Sequence, residues 1–213
     1  MSTSLASNLE LELAKQFIEN TGKNLFLTGK AGTGKTTFLK SLRAISPKRM
    51  AVVAPTGVAA INAGGVTIHS FFQLPFGPQI PNHYLPKENQ APQRDFRFGR
   101  EKLNILRSLD LLVIDEISMV RADMLDAIDG VLRRYRNRSK PFGGVQVLMI
   151  GDLQQLAPVV KESDWQLLQA YYSGPFFFQS KVLEFFPVET IELKHIYRQT
   201  DDTFIQVLNQ IRE

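Results

Sequence analysis

The residues best suited to chemistry stand in the stretch LTGKAGTGKTTFLK, residues 27–40. Its glycines, followed by Lys35 and Thr36, fit the spacing G-x-x-x-x-G-K-[ST] behind a hydrophobic, strand-like run. Glycines let successive backbone N–H groups turn toward phosphate oxygens, and the N-terminus of a following helix adds the positive end of its dipole. The pattern predicts a nucleotide phosphate site and is favoured over a glycine-rich turn that arose by chance.

Each residue type in this loop has an expected role. Lys35 would reach the β and γ phosphates, and the Thr36 hydroxyl would bind Mg²⁺. The predicted cofactors are therefore ATP and Mg²⁺. The residues expected to contact the nucleotide are Gly29, Ala31, Gly32, Thr33, Gly34, Lys35, Thr36 and Thr37.

An acidic pair, Asp115 and Glu116, ends the apolar run LLVIDE. A Mg²⁺ nucleotide site needs a carboxylate at the C-terminal end of a neighbouring strand. Asp115 is expected to bind the metal, through water, and Glu116 to orient and deprotonate the attacking water. A solvated strand end is the alternative, and the phosphate loop favours the metal site. Further along, IGDLQQLAP places Gln155 where a side-chain amide could touch the γ-phosphate or the lytic water.

The elements that must position these residues alternate between strand and helix. Hydrophobic runs predict strands, and apolar residues at helical spacing predict the helices between them. The predicted strands cover residues 24–29, 50–56, 108–116 and 143–152, and the predicted helices cover 8–20, 35–45 and 122–137. Alternation of this kind indicates an α/β fold with a parallel sheet and right-handed crossovers.

Two segments depart from this alternation. Residues 64–100 contain prolines at 75, 78, 81, 86 and 92, so we expect a long functional loop that binds DNA. Residues 201–213 have helical spacing up to the last residue without a stop signal, so we expect the chain to continue in a longer protein.

Composition narrows the class of protein. The 213 residues carry a formal charge of +4, which suits one globular core and a polyanionic partner. Cysteine is absent and only His69, His83 and His195 remain as imidazole ligands, which excludes disulfides and disfavours a structural zinc site. No apolar run approaches the roughly 18 residues of a membrane helix and no signal peptide is visible, so we expect no membrane partner and a cytoplasmic or nuclear location.

Residues 54–72, APTGVAAINAGGVTIHSFF, combine backbone N–H groups near Thr56 and Gly57 with hydroxyls, an imidazole and two adjacent phenylalanines. Such groups can hold a phosphate backbone and stack bases, which is how single strands are bound without sequence preference. The alternative is that Phe71 and Phe72 both lie in the core, and at least one of them is expected there.

The order of the segments GKAGTGKT, APTGVAA with TIHSFF, VIDEISM, PFGGVQVLMIGDLQQLAP and YRQ closely resembles the PIF family of superfamily 1 5′-to-3′ DNA helicases, relatives of the RecD helicase subunit. The resemblance runs from about residue 22 to about residue 212. Its most specific part is residues 123–152, which look like a family signature that generic P-loop ATPases lack.

The resemblance implies a P-loop NTPase with a RecA-like parallel sheet flanked by helices, acting as an ATP-dependent DNA helicase. It makes Gln155 the γ-phosphate sensor and Arg198 a γ-phosphate contact, a role that suits a fixed guanidinium, although a surface ion pair is the alternative for Arg198. The implied partners are single-stranded DNA and forked or structured DNA, bound by a monomer. The expected DNA-binding residues are Pro55, Thr56, Gly57, His69, Ser70 and, as a base-stacking ring, Phe72.

Other features stay open. Such helicases usually carry a glutamine upstream of the phosphate loop that reads adenine. The family's usual spacing leads to Glu12 in this sequence, and the nearest glutamine is Gln16, so the sequence supports adenine selectivity less firmly than ATP hydrolysis. Phe176 to Phe178 are assigned to packing. Two basic runs could contact DNA phosphates, but the second sits at a helix end where cations also suit the dipole: Arg94, Arg97, Arg100, Lys102 and Arg107, then Arg133, Arg134, Arg136, Arg138 and Lys140.

Residues 1–213 are expected to form one RecA-like domain, without the second such domain that completes a helicase ATP site. We therefore expect weak nucleotide binding, slow hydrolysis and no unwinding by this chain alone. The alternatives are a stand-alone P-loop NTPase or small-molecule kinase, for which Glu116, Gln155 and TIHSFF have no evident use, and a non-catalytic DNA-binding module.

Overall fold

The sheet at the centre of the molecule has six strands in the order β3-β2-β4-β5-β1-β6, and every pair of neighbours is parallel. The structure is a computed structural model that describes residues 8–80 and 98–197. The strands are β1 (Leu25–Gly29), β2 (Met50–Ala54), β3 (Val66–Thr67), β4 (Leu111–Ile114), β5 (Gln146–Gly151) and β6 (Glu189–Leu193).

Helices connect these strands. They are α1 (Leu9–Asn20), α2 (Lys35–Ile45), α3 (Gly57–Ala63), α4 (Ile68–Phe72), α5 (Arg100–Ser108), α6 (Ala122–Tyr135), α7 (Glu162–Leu168) and α8 (Lys181–Phe185). Short 3₁₀ turns cover Ile117–Met119, Pro141–Gly144 and Phe177–Gln179. The α/β class with a helix-flanked parallel sheet is thus confirmed.

The side chains of the central strands alternate between two cores, one on each face of the sheet. In β4, Leu111 and Val113 pack with residues of α1 and α2, whereas Leu112 and Ile114 pack with residues of α4, α5, α6 and α8. Because both faces are covered, every residue of β4 is buried. This explains why the strands appear in the sequence as continuous apolar runs instead of alternating ones.

Local signals set the helix boundaries next to the sheet. The Asn8 side chain accepts hydrogen bonds from the backbone N–H groups of Glu10 (3.0 Å) and Leu11 (3.2 Å), which caps α1. Thr56 caps α3 in the same way, since its hydroxyl accepts from the N–H of Ala59 at 3.2 Å. The helices and strands expected from periodicity are present with ends shifted by a few residues.

The expected long loop at 64–100 is wrong for its first part. Residues of β3 and α4 form regular structure there, and the Thr67 hydroxyl caps α4 by accepting from the N–H of Ser70 at 3.2 Å. The cap and the single helical turn are too short to give a periodic signal. Residues 81–97, and the helix expected at 201–213, lie outside the described residues. Strand β6 was not expected, because its outer position leaves it half exposed and without a long apolar run.

The segment that resembles a family signature, residues 123–152, holds its neighbours through buried carboxylates. Asp126 accepts hydrogen bonds from the backbone N–H groups of Lys181 and Val182, each at 2.9 Å, and so caps α8. Asp129 accepts from the N–H of Phe142 and from Arg133 Nε (2.7 Å). These two residues therefore connect α6 to α8 and to the 3₁₀ turn at Pro141–Gly144, beside the core that α4, α5, α6 and α8 form on one face of the sheet.

Across residues 8–80 and 98–197, none of the helices combines the length and the apolar character needed to cross a membrane.

The burial of Phe72 leads to a stability prediction. Phe72, the last residue of α4, is 1% exposed because its ring points into the core, whereas Phe76, on the following turn, is 89% exposed. Phe72→Ala should lower the free energy of unfolding by about 3–5 kcal/mol through the lost burial and the cavity, and Phe76→Ala should change it by less than about 0.5 kcal/mol. Urea denaturation of the two variants checks this, and equal effects would contradict the assigned core.

Candidate nucleotide and DNA site

The phosphate loop connects β1 to α2 and depends on glycine at both ends. A Cβ on Gly29 would lie 2.7 Å from the carbonyl oxygen of Leu193, so the loop can leave β1 only with glycine there. Gly34, directly before α2, has φ +94°, a conformation that other residues rarely adopt. The loop therefore places the N-terminal N–H groups of an eleven-residue helix at the carboxyl edge of the sheet.

Lys35 and Thr33 hold the loop in shape. The Lys35 ammonium donates to the carbonyl oxygens of Gly29 and, at 3.0 Å, Lys30. The Thr33 side chain is buried and its hydroxyl donates to the Lys30 carbonyl at 2.9 Å, so only its backbone is placed to meet a phosphate. Of the other residues expected to contact the nucleotide, Ala31, Thr36 and Thr37 are exposed, and Gly32 and Gly34 are partly exposed.

The acidic pair follows β4, which is separated from β1 by β5 instead of lying next to it. The expectation of an adjacent strand is therefore wrong, although both strands end at the same edge. Burial raises the pKa of Asp115 to about 6, with a further increase from the neighbouring Glu116 carboxylate, against the opposing effects of the Glu116 N–H and the Lys35 charge. Lys35 and Asp115 are thus close enough to interact electrostatically.

Glu116 has an unusual backbone for its residue type, with φ 52° and ψ 45° in the left-handed region. Such a conformation costs on the order of 1–3 kcal/mol for a residue other than glycine and tends to occur at functional sites. It turns the chain sharply between β4 and the 3₁₀ turn, and leaves the Glu116 side chain partly exposed at the edge. Sequence spacing gave no sign of this strain.

Gln155 is oriented by a buried carboxylate that follows β5. Asp152 is 4% exposed, and its Oδ2 accepts from Gln155 Nε2 at 3.1 Å while its Oδ1 accepts from the N–H of Gln154 at 3.0 Å. With the amide nitrogen engaged, the amide oxygen of the exposed Gln155 is left to meet solvent or a ligand. The N–H···O orientation makes Asp152 a positioning residue for Gln155.

Tyr197 is a neighbour of the phosphate loop that the sequence did not indicate. Its N–H donates to the Gly32 carbonyl at 2.9 Å, and a Cβ on Gly34 would lie 3.6 Å from its ring. Arg198 lies outside the described residues, so its γ-phosphate contact stays a prediction. At α1, Gln16 Nε2 donates to Glu12 Oε1 at 3.1 Å, which engages the two residues considered for adenine.

The expected DNA-binding residues follow β2 and β3, two neighbouring strands. Ala54 pairs with Thr67 in parallel register, so Pro55, Thr56 and Gly57 emerge beside His69 and Ser70 at the same edge of the sheet. Gly57 and Ser70 are exposed, and the other three are partly exposed. The structure brings these five residues into one region.

Phe72 is not part of that surface, and the expectation that it stacks on bases is wrong. Both phenylalanines of the pair turn inward, Phe71 at 7% and Phe72 at 1% exposure, because α4 packs its apolar face on β2 and β4. Lys102 covers the Phe71 ring with its Nζ 3.6 Å from the ring centroid. Among the described residues of this region, the exposed aromatic ring is that of Phe76.

Several residues of the basic runs have structural partners. Arg133 forms an ion pair with Asp129 at 2.7 Å, and Arg136 Nη1 donates to the carbonyl oxygens of Leu106 (2.8 Å) and Arg107 at the end of α5. This favours packing over DNA contact for these two arginines. Arg94 and Arg97 lie outside the described residues. Phe177 is buried as expected, whereas Phe178 is 49% exposed.

The donor set fits Mg²⁺ bound together with phosphates rather than a metal held by protein alone. The described residues contain no group of three or more His, Cys, Asp or Glu side chains able to hold a metal. Thr36 and Asp115 supply one hydroxyl and one carboxylate, and Mg²⁺ commonly takes one or two protein ligands with substrate phosphates and water.

A parallel sheet with a phosphate loop after β1 and an acidic pair after β4 defines the P-loop NTPase fold. Within that class, the sequence profile of the PIF1-like helicases matches residues 9–213, and the chain belongs to this family. The family resemblance found in the sequence is therefore confirmed.

Curated relatives and solved structures agree with this assignment. The ATP-dependent DNA helicase PIF1 of Homo sapiens is 41% identical over 192 residues, which are 90% of this chain and 27% of that protein. Bacteroides Pif1 bound to single-stranded DNA is 46% identical with a TM-score of 0.87, and its complex with ADP-AlF3 and single-stranded DNA has a TM-score of 0.88. Both matches cover 99% of this chain, but only 46% and 47% of the two solved chains.

The raised pKa of Asp115 predicts a pH dependence of stability in metal-free buffer. In the folded state the Asp115 carboxyl group keeps its proton up to about pH 6, whereas in the unfolded chain it releases the proton near pH 3.8. The free energy of unfolding therefore falls as pH rises between these values. Asp115→Asn removes this loss and should be more stable than the parent above pH 6, by up to about 3 kcal/mol. Urea denaturation at several pH values measures the difference, which should vanish below pH 4.

Asp110 provides a control of opposite sign. Hydrogen bonds from Arg49 lower the pKa of Asp110 to about 2. The stabilisation that this ionised carboxylate gives the folded state is therefore fully present above pH 3.8 and is lost as the pH falls through 2. Asp110→Asn should therefore destabilise the chain at neutral pH. A loss of stability for Asp115→Asn above pH 6 would contradict the assigned environment of Asp115.

Proposed function

We propose that this chain is the nucleotide-binding motor domain of an ATP-dependent 5′-to-3′ DNA helicase. It binds ATP with Mg²⁺ on the loop between β1 and α2, and it holds single-stranded DNA on the surface after β2 and β3. The direction of movement is taken from the family resemblance, and forked DNA is included as a substrate because a similar solved structure concerns Pif1 helicases that unwind forked double-stranded DNA.

The observation that carries this proposal is the meeting of two sets of residues at one edge of the sheet. Lys35, Asp115 and Gln155 follow or flank β1, β4 and β5, while the candidate DNA residues follow β2 and β3, on the far side of β4. A nucleotide site and a DNA surface on adjacent strand ends are the arrangement a DNA-coupled ATPase requires, whereas a small-molecule kinase has no use for the second set.

The chain's own residues divide the chemistry. The N–H groups of the loop and the N-terminus of α2 bind phosphate oxygens, and Lys35 exchanges its carbonyl partners for the β and γ phosphates. Glu116 orients and deprotonates the attacking water. Asp152 holds one N–H of the Gln155 amide, which leaves the amide oxygen to accept a hydrogen bond from that water and the second amide N–H to donate to the γ-phosphate.

Mg²⁺, when bound, neutralises charge on the phosphate oxygens. Thr36 and Asp115 are the residues that would hold it, Asp115 through water. Binding requires the Asp115 carboxylate to be ionised, and the nearby Lys35 charge favours that form against the effect of burial.

Catalysis by this domain depends on a second one. The chain spans about a quarter of the curated relatives and about half of the solved ones it matches. Helicases of this class work by closing two motor domains around ATP, and the second domain would complete the site from across the cleft. Residues 1–213 would then bind nucleotide weakly, hydrolyse it slowly and unwind nothing alone.

ATPase rates with and without single-stranded DNA test the proposal. The 213-residue chain should turn over slowly, and a longer chain that continues past Glu213 with a second motor domain should be strongly stimulated by DNA. Fast turnover by the short chain without any response to DNA would replace the helicase proposal with an independent NTPase or a kinase.

The role of Glu116 is tested in the longer, DNA-stimulated protein. Glu116→Gln should bind ATP as the parent does but lose turnover by about 10²- to 10⁴-fold, because a general base contributes that much. Single-turnover hydrolysis and nucleotide binding are measured together. Glu162→Gln, an exposed change on α7, serves as the control and should keep full activity. Retained turnover in Glu116→Gln would remove Glu116 from the base role.

A further inference from the structure

Phe76 is the most exposed large hydrophobic residue among those described, at 89% of its surface. It belongs to the turn that follows α4 and precedes residue 81. A phenylalanine ring left in water costs free energy that burial would recover. Neither the nucleotide site nor the core uses it, so the ring is open to a ligand.

The ring is backed by an imidazole. His69 stacks on Phe76 with 4.7 Å between ring centroids and 29° between planes. Burial, reinforced by the nearby Arg121 charge, lowers the pKa of His69, so the imidazole is neutral at neutral pH. His69 therefore acts as a flat, uncharged support, and most of the Phe76 ring stays open.

The turn that carries Phe76 is fixed from both sides. Gly77, directly after it, has φ +98°, and its carbonyl accepts from Arg121 Nη2 at 2.7 Å. The N–H of Gln79 donates to Asp123 Oδ2 at 2.7 Å, and the Gln79 side-chain amide donates to the Pro75 carbonyl at 2.8 Å. Phe76 thus lies in a turn whose backbone is held on each side of it.

The anchor of this turn is a buried ion pair. Arg121 donates to both oxygens of Asp123, at 2.8 Å and 2.7 Å, in the bidentate geometry that gives the strongest pairs. Their side chains are 14% and 1% exposed. Because the backbone on both sides of Phe76 is held in this way, the turn loses little conformational freedom when the ring binds a ligand, which favours affinity.

We propose that Phe76, supported by His69, is a stacking platform for one nucleobase of single-stranded DNA, a contact that rests on the function proposed above. Ser70, next to His69, belongs to the surface proposed to hold the DNA strand. Phe76 therefore lies beside that surface, and a base of the bound strand can turn toward its ring. Stacking on an aromatic side chain suits any base, since every base has a π face. The other occupant to consider is a protein side chain.

The test uses the 213-residue chain at low ionic strength and single-stranded oligonucleotides that carry 2-aminopurine, whose fluorescence is quenched by stacking. The parent chain should quench the probe. Phe76→Ala should abolish this quenching and weaken binding, measured by anisotropy, about 5- to 150-fold, the range found for loss of one stacked base. Phe76→Trp should restore both, and Phe178→Ala, an exposed phenylalanine elsewhere, should change neither.

An oligonucleotide of abasic sites separates base stacking from backbone contact. Phe76→Ala should leave its affinity unchanged, and an equal loss for abasic and normal DNA would overturn the platform. If the parent binds DNA and Phe76→Ala binds and quenches equally well, the platform is wrong while the DNA-binding function stands, and a protein partner becomes the occupant to seek. If the parent binds no single-stranded DNA at all, the proposed function is wrong and the platform with it.

Discussion

The parallel hydrogen bonding of β1, β5 and β4 is the constraint on which the remaining structure depends. Leu27 pairs with Ile150, and Leu148 pairs with Val113, so the three strands end at one edge. Parallel strands need helices on both faces, which produces the two cores and the continuous apolar runs of the sequence. The same register brings the phosphate loop, the acidic pair and the Gln155 segment together, although they are far apart along the chain.

The acidic pair combines two unfavourable features, and packing compensates for both. Glu116 lies in the left-handed region, and Asp115 is partly removed from water. The following turn is held because Ile117 is fully buried, and its Cγ2 would lie 2.8 Å from a Cβ on Gly151, so only glycine at the end of β5 allows the approach. Strain at the proposed water-activating residue is therefore maintained by the core beneath it.

The chain that leaves the acidic pair also reaches the candidate DNA surface. After the 3₁₀ turn it arrives at Arg121, the residue before α6, which pairs with Asp123 and holds the Gly77 carbonyl. One short segment thus touches both the nucleotide edge and the turn of Phe76. The buried charge of Asp123 is satisfied by Arg121 and by the N–H of Gln79, which is the condition for tolerating a carboxylate in the core.

The sequence alone determined the phosphate loop, the acidic pair, the main strands and α1, α2 and α6, because these follow from glycine spacing, apolar runs and helical periodicity, which are local properties. Only the tertiary structure decided that Phe72 is buried while Phe76 is exposed, since the packing of α4 against the sheet separates two rings that stand four residues apart. It also decided the place of β5 between β1 and β4, the contact of Tyr197 with Gly32, and the pKa of Asp115. These depend on contacts between residues distant in the chain, which spacing does not encode.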